Sequence, residues 1–117
     1  MARIEKVNQN VKKEIGYIIQ EEIHDPRLEF VTITDAEVSR DLQHARVYFS
    51  VLGERSQFET ALESLRKAKG RIRRFLGQRL KMRYVPDIEF FIDKSVEYGA
   101  RIERAIEDIH HEFGENQ

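Results

Sequence analysis

Nine basic residues crowd into one stretch of this 117-residue chain: Arg66, Lys67, Lys69, Arg71, Arg73, Arg74, Arg79, Lys81 and Arg83. No Asp or Glu interrupts residues 66–83, although the whole chain holds 20 Lys+Arg against 21 Asp+Glu and a formal net charge of −1. Guanidinium and ammonium groups segregated in this way set up a local positive field on an otherwise acidic body. Such a field attracts a polyanion, because Arg offers a phosphate paired N–H donors and Lys offers it a point charge. A solvated helix face is the ordinary fate of a charge run. Here the complete exclusion of carboxylates favours a polyanion site.

Residue types that could perform covalent or acid–base chemistry do not assemble into a constellation. The histidines are His24, His44, His110 and His111. Glu107 and His110 have the spacing of half a di-metal carboxylate site, but only one copy exists and such sites need two. His24 beside Asp25 sits where a helix should end, and interaction with the helix dipole accounts for it. Glu21/Glu22 and Glu103/Glu107 read as solvated helix faces and not as acid/base dyads. GxSxG, P-loop, GxGxxG and HExxH patterns are missing, and cysteine is absent altogether. The sequence therefore predicts no enzyme, no cofactor, no small-molecule substrate and no metal site.

The basic stretch must be carried by something. Ile4, Val7, Val11, Ile15, Ile18, Ile19 and Ile23 recur at helical spacing and predict an amphipathic helix over 2–23, closed by Pro26. Residues 30–39 alternate as a strand, with Val31 and Ile33 on one face and Phe30, Thr32, Thr34, Ala36 and Val38 on the other. A polar loop at 40–44 leads to Ala45, Val47, Phe49 and Val51, the buried face of a second strand and partner in an antiparallel hairpin. Ser56 and Glu59 have the form of a capping box ahead of a helical stripe of Phe58, Leu62, Leu65, Ala68, Ile72, Leu76 and Leu80. Lys67, Arg71, Arg74, Gln78 and Lys81 lie half a turn out of phase with that stripe, so the basic face points away from the core.

Gly70 interrupts this helical pattern at a cost of about 1 kcal/mol relative to alanine. A bend there would split the pattern into two helices. It would also let Ala68 and Gly70 approach another backbone closely and open a helix N-terminus to phosphate. Merely curving a long helix around a sheet is the alternative use for the same glycine. Ile88, Phe90 and Ile92 then predict a third strand that returns after a helical crossover and so can pair in parallel. Ser95 caps a last amphipathic helix, with the final residues frayed. Tyr48 and Phe91 point off the core face, where they could stack on bases or on neighbouring elements. The expected order is α-β-β-α-α-β-α: one α+β domain over 1–117 with a three-stranded mixed sheet and helices packed on one face.

Apolar residues at 40% and charged residues at 35% describe a globular chain, and its longest charge-free run is far short of a membrane span. The opening residues lack the apolar run of a secretory signal, so a cytoplasmic location without membrane contact is expected.

Four segments, EIGYIIQEEIHDPRLEFVTIT, VSRDLQHARVYFSVLG, LRKAKGRIRRFLGQRL and DKSVEYGARIERAIEDI, together resemble bacterial ribosome-binding factor A (RbfA) from about Arg3 to Ile109. The resemblance implies a single-domain type II KH-like fold in which a bent helix pair carrying Ala-x-Gly, here Ala68-Lys69-Gly70, replaces the usual GxxG loop. It further implies a non-catalytic factor that binds the free 30S ribosomal subunit, and a monomer is expected. Such a factor assists late maturation of 16S rRNA, including its 5′ end, and supports growth in the cold. Lys67, Lys69, Gly70, Arg71, Arg73, Arg74 and Lys81 are then the candidates for contact with rRNA. Arg3, Lys6, Arg27, Arg40 and Arg46 are secondary candidates. A protein-interaction module whose basic ridge docks an acidic partner is the competing reading.

Overall fold

The computed structural model describes residues 2–52 and 55–93. Helix α1 runs over Ala2–Glu21, and its apolar stripe buries Val11, Ile15, Ile18 and Ile19. The amides of Glu22 and Ile23 both donate to the Ile18 carbonyl, at 2.8 and 3.0 Å, which closes the helix and turns Ile23 into the core. A short 3-10 turn follows at Pro26–Leu28, capped by Asp25, whose Oδ1 accepts from the Arg27 amide at 3.0 Å. Proline at the first position suits such a turn because the missing N–H has no partner to lose.

Strands β1 (Val31–Val38) and β2 (His44–Val51) form the expected antiparallel hairpin. The strict alternation expected for β1 does not hold. The register slips between Ile33 and Asp35, so Thr34 is an extra residue and the faces switch. As a result Val31 and Ile33 before the bulge, and Ala36 and Val38 after it, all point into the core, while Phe30 and Thr32 remain exposed. The Thr34 hydroxyl donates to Asp93 Oδ2 at 2.6 Å, giving the bulged residue a partner at the end of β3 (Asp87–Ile92). Strand β3 pairs in parallel with β2, so the order is β1-β2-β3 with β2 central.

Helix α2 spans Arg55–Leu80. The two helices expected on either side of Gly70 are one, because α2 is continuous through that residue and no second helix N-terminus opens there. The helical run begins at Arg55, one residue ahead of the expected cap at Ser56. Ala61, Leu65, Ala68, Ile72 and Leu76 face the sheet and are buried. Each large aliphatic side chain so buried contributes about 1.5–3 kcal/mol. Both helices cover the same side of the sheet, where Ala45, Val47, Phe49, Ile88 and Phe90 complete the core. The last expected helix, with its cap at Ser95, lies outside the described residues.

The C-terminus of α2 is built to stop. Lys81 takes a left-handed backbone (φ 52°), and the Met82 amide donates to the Gly77 carbonyl at 2.9 Å. That is the Schellman arrangement, here with lysine where glycine is usual. Pro86 is fully buried and leads directly into β3.

Candidate nucleic-acid interface

The outer surface of α2 carries the basic residues, for the reason the periodicity suggests. With Ile72 and Leu76 turned to the sheet, Lys67, Gly70, Arg71 and Arg74 lie on the opposite side and are exposed, and Lys81 is exposed just past the helix end. Among the described residues no carboxylate bridges Arg71, Arg74 or Lys81, nor Arg66 and Arg83. Arg74 lies 5.3 Å from the Phe75 ring centroid, which leaves its charge uncompensated. Gly70 has nothing within 4 Å of the place a Cβ would occupy, so its outer surface is open.

The other expected site residues have partners within the protein. Lys67 pairs with Glu63 one turn back, at 3.2 Å, a contact exposed enough to exchange for another anion at little cost. Lys69 Nζ lies 3.3 Å from Asp87 Oδ1, and this ammonium, with the Arg73 charge further off, holds the Asp87 carboxyl below its usual range. Arg73 turns toward β3, its Nε donating to the Pro86 carbonyl at 3.0 Å and its Nη2 to the Val85 carbonyl at 2.9 Å. It clamps the turn between α2 and β3. Arg79 donates to Glu14, Glu21 and Glu22 at 3.4, 3.0 and 3.2 Å, with Glu21 the main cause of its firmer hold on its proton. That network ties α2 to α1. Of the nine basic residues, then, Arg73 and Arg79 serve the fold.

The secondary candidates are dispersed. Arg3 and Lys6 are exposed on the first turns of α1, and Arg40 is exposed in the hairpin loop. The Asp87 amide donates to the Gln43 carbonyl at 2.8 Å, which brings that loop to the end of the sheet where Lys69 sits. Arg27 is held by Asp25 through Nε–Oδ1 at 3.0 Å and Nη2–Oδ2 at 3.2 Å, bonds that in turn lower the Asp25 pKa. Arg46 is exposed on the outer sheet face, opposite Glu37 in the register. On that face Tyr48 and Phe91 pack against each other with ring centroids 5.8 Å apart.

Tyr84 escapes the periodic pattern. It stands 76% exposed in the turn after α2, with the Arg83 guanidinium 5.5 Å from its ring centroid. The signal available in the sequence was local: an aromatic between Arg83 and a proline-fixed strand start, belonging to no apolar stripe. No group of three His, Cys, Asp or Glu placed to hold a metal ion occurs among the described residues. None of their helices is long and apolar enough to cross a membrane.

Fold and site together define a small α+β unit whose long second helix carries an exposed surface rich in arginine and lysine. The profile of the ribosome-binding factor A family matches residues 3–106, and the chain belongs to that family. The crystal structure of ribosome-binding factor A from Thermus thermophilus superposes with a TM-score of 0.69 at 29% identity, over 76% of this chain and 94% of that one. A solution structure of a putative ribosome binding factor A from Thermotoga maritima gives 0.69 at 33% identity, over 76% and 85%. A third similar structure is a homology model of the Thermus thermophilus factor fitted into an electron cryo-microscopy map of a 30S–RbfA complex. It gives a TM-score of 0.63 at 30% identity, over 74% of this chain and 91% of that one.

Proposed function

We propose that this protein is a non-catalytic ribosome assembly factor that binds the free 30S subunit through 16S rRNA. The observation that carries the reading is the exposed ridge of Arg71 and Arg74 on α2 with Lys81 just past its end, free of carboxylate partners among the described residues, in a chain of this family. Phosphate contacts supply much of the affinity of proteins for nucleic acid, and cations carried on a rigid helix meet them with no backbone left to order. Lys67 and Lys69 add to the ridge by exchanging their surface carboxylates for phosphate, and Gly70 lets a ribose–phosphate backbone approach the helix closely. Arg40 extends the basic surface at the hairpin end. Arg73 acts indirectly, by holding the turn that follows.

The chain acts as one KH-like domain and as a monomer in the cytoplasm. It stabilises an rRNA conformation during late maturation, including that of the 5′ end, and leaves before translation. Its value is greatest in the cold, when misfolded rRNA rearranges slowly. Sedimentation of the purified protein with separated small subunits, large subunits and assembled ribosomes tests this. Co-migration with free small subunits alone is expected. Equal association with all three, or with none, would overturn the proposal.

A further inference from the structure

The turn between α2 and β3 buries half of itself and projects the other half. Pro86 is fully buried, Met82 and Val85 are partly buried against the core, and Arg83 and Tyr84 stand outward. Tyr84 is far more exposed than a tyrosine needs to be on a turn with apolar cover so close. Its position is fixed by contacts on both sides. Lys81 and the Met82 amide lock the helix end, the Val85 side chain lies against Gly77, and Arg73 grips the carbonyls of Val85 and Pro86 at 2.9 and 3.0 Å. An exposed aromatic ring on a clamped turn is pre-organised for a planar ligand, and little conformational freedom is lost on binding.

Its surroundings indicate which planar ligand. The turn lies against α2 at Arg73 and Gly77, helical spacing places Gly70 and Arg74 next to those residues on the outward side, and Lys81 is exposed where the turn begins. The Arg83 guanidinium already lies over the Tyr84 ring. A flat π surface at the edge of a basic ridge matches a nucleotide, which joins a planar base to an anionic phosphate through one sugar. An apolar protein pocket would instead meet charged neighbours at Arg83 and Lys81.

We infer that Tyr84, backed by Arg83, is a stacking platform for one unpaired RNA base at the end of the α2 ridge. The inference rests on the RNA-binding reading above and adds to it a preference for single-stranded over duplex RNA at this point.

The chain contains no tryptophan, so Tyr84→Trp introduces a single indole at the platform, whose emission can be excited apart from that of the tyrosines. Titration with a short single-stranded RNA of mixed sequence should quench it, and inorganic polyphosphate should bind without quenching. Tyr84→Phe should keep wild-type affinity for that RNA, and Tyr84→Leu should lose roughly 5- to 150-fold, the range for one stacked base. RNA binding by Tyr84→Leu at wild-type strength, with the introduced indole unquenched in Tyr84→Trp, would overturn the platform while leaving the ridge intact. Loss of small-subunit binding in Tyr84→Leu without quenching of that indole by RNA would also overturn it, by assigning Tyr84 to a protein contact. If wild-type protein bound neither the RNA nor small subunits, the assembly-factor reading itself would fall, and the platform with it.

Discussion

Two glycines seven residues apart in α2 should respond differently to the same substitution, with only the first stabilised. At Gly70 an added Cβ meets nothing within 4 Å, the backbone is helical, and the position is exposed. Alanine there loses less conformational entropy on folding, so Gly70→Ala should stabilise by about 0.5–1 kcal/mol. For a chain of this size that corresponds to a rise in Tm of roughly 2–6 °C. At Gly77 the added Cβ would fall 2.7 Å from Val85 Cγ2, and Val85 is pinned by Arg73 and the buried Pro86. The same gain in helix propensity is then set against about 1–3 kcal/mol of overpacking, so Gly77→Ala should be neutral to about 2 kcal/mol destabilising. Urea and thermal unfolding of the two variants beside wild type would read both values. A destabilised Gly70→Ala would refute the continuous helix and restore a true break at that residue. Gly70→Ala also separates stability from function, since a stabilised variant that binds small subunits more weakly identifies Gly70 as a point of close backbone approach.

Three further outcomes follow from the packing and the ion pairs. Ile72 is fully buried between α2 and the sheet, so Ile72→Ala should cost about 2–5 kcal/mol in urea unfolding through the cavity it leaves. Arg73→Ala removes two charge-assisted hydrogen bonds to the α2–β3 turn and should cost about 1.5–3 kcal/mol in the same assay; Arg73→Lys should recover only part, because one ammonium cannot span both carbonyls as the guanidinium does. Asp25 and Asp87 are held below the ordinary aspartate value of 3.8 by Arg27 and Lys69, so the stability they contribute is complete above that value and is lost as pH falls through their lower folded values. The urea midpoint should therefore hold down to about pH 5 and fall below about pH 4, with a shallower fall in Asp25→Asn.

The apolar stripes of α1 and α2 were legible because a 3.6-residue period has one solution, and the side of α2 left for the basic residues follows from it directly. A parallel pairing for β3 was legible from the helical crossover that precedes it, whereas its partner, β2, is shown by the structure. The bulge at Thr34 was not legible. Residues 30–39 alternate well enough to suggest an unbroken strand, and the residue that reverses the faces is fixed by a hydroxyl reaching Asp93, far away in sequence. Gly70 misled for a related reason: its cost to a helix is local, while the sheet packing of Ala68 and Ile72 that offsets it is tertiary. Within the candidate site, charge and phase placed Arg71 and Arg74 on the side of α2 turned away from the core, where both are exposed. The same criteria could not separate them from Arg73 and Arg79, whose partners are the carbonyls of a turn and the carboxylates of another helix.

The most direct test of the central claim compares wild type with Arg71→Glu/Arg74→Glu for affinity to free small subunits across a range of salt. Both arginines are exposed and opposite the buried stripe, so the double variant should fold with unchanged urea stability. If the ridge engages four to six phosphates, log K against log[salt] should fall with a slope of roughly −3 to −5 for wild type. The double variant should bind at least about tenfold more weakly, with a slope shallower by about two. A folded double variant with the wild-type affinity and the wild-type slope would contradict the account and place the ribosome-binding surface away from α2.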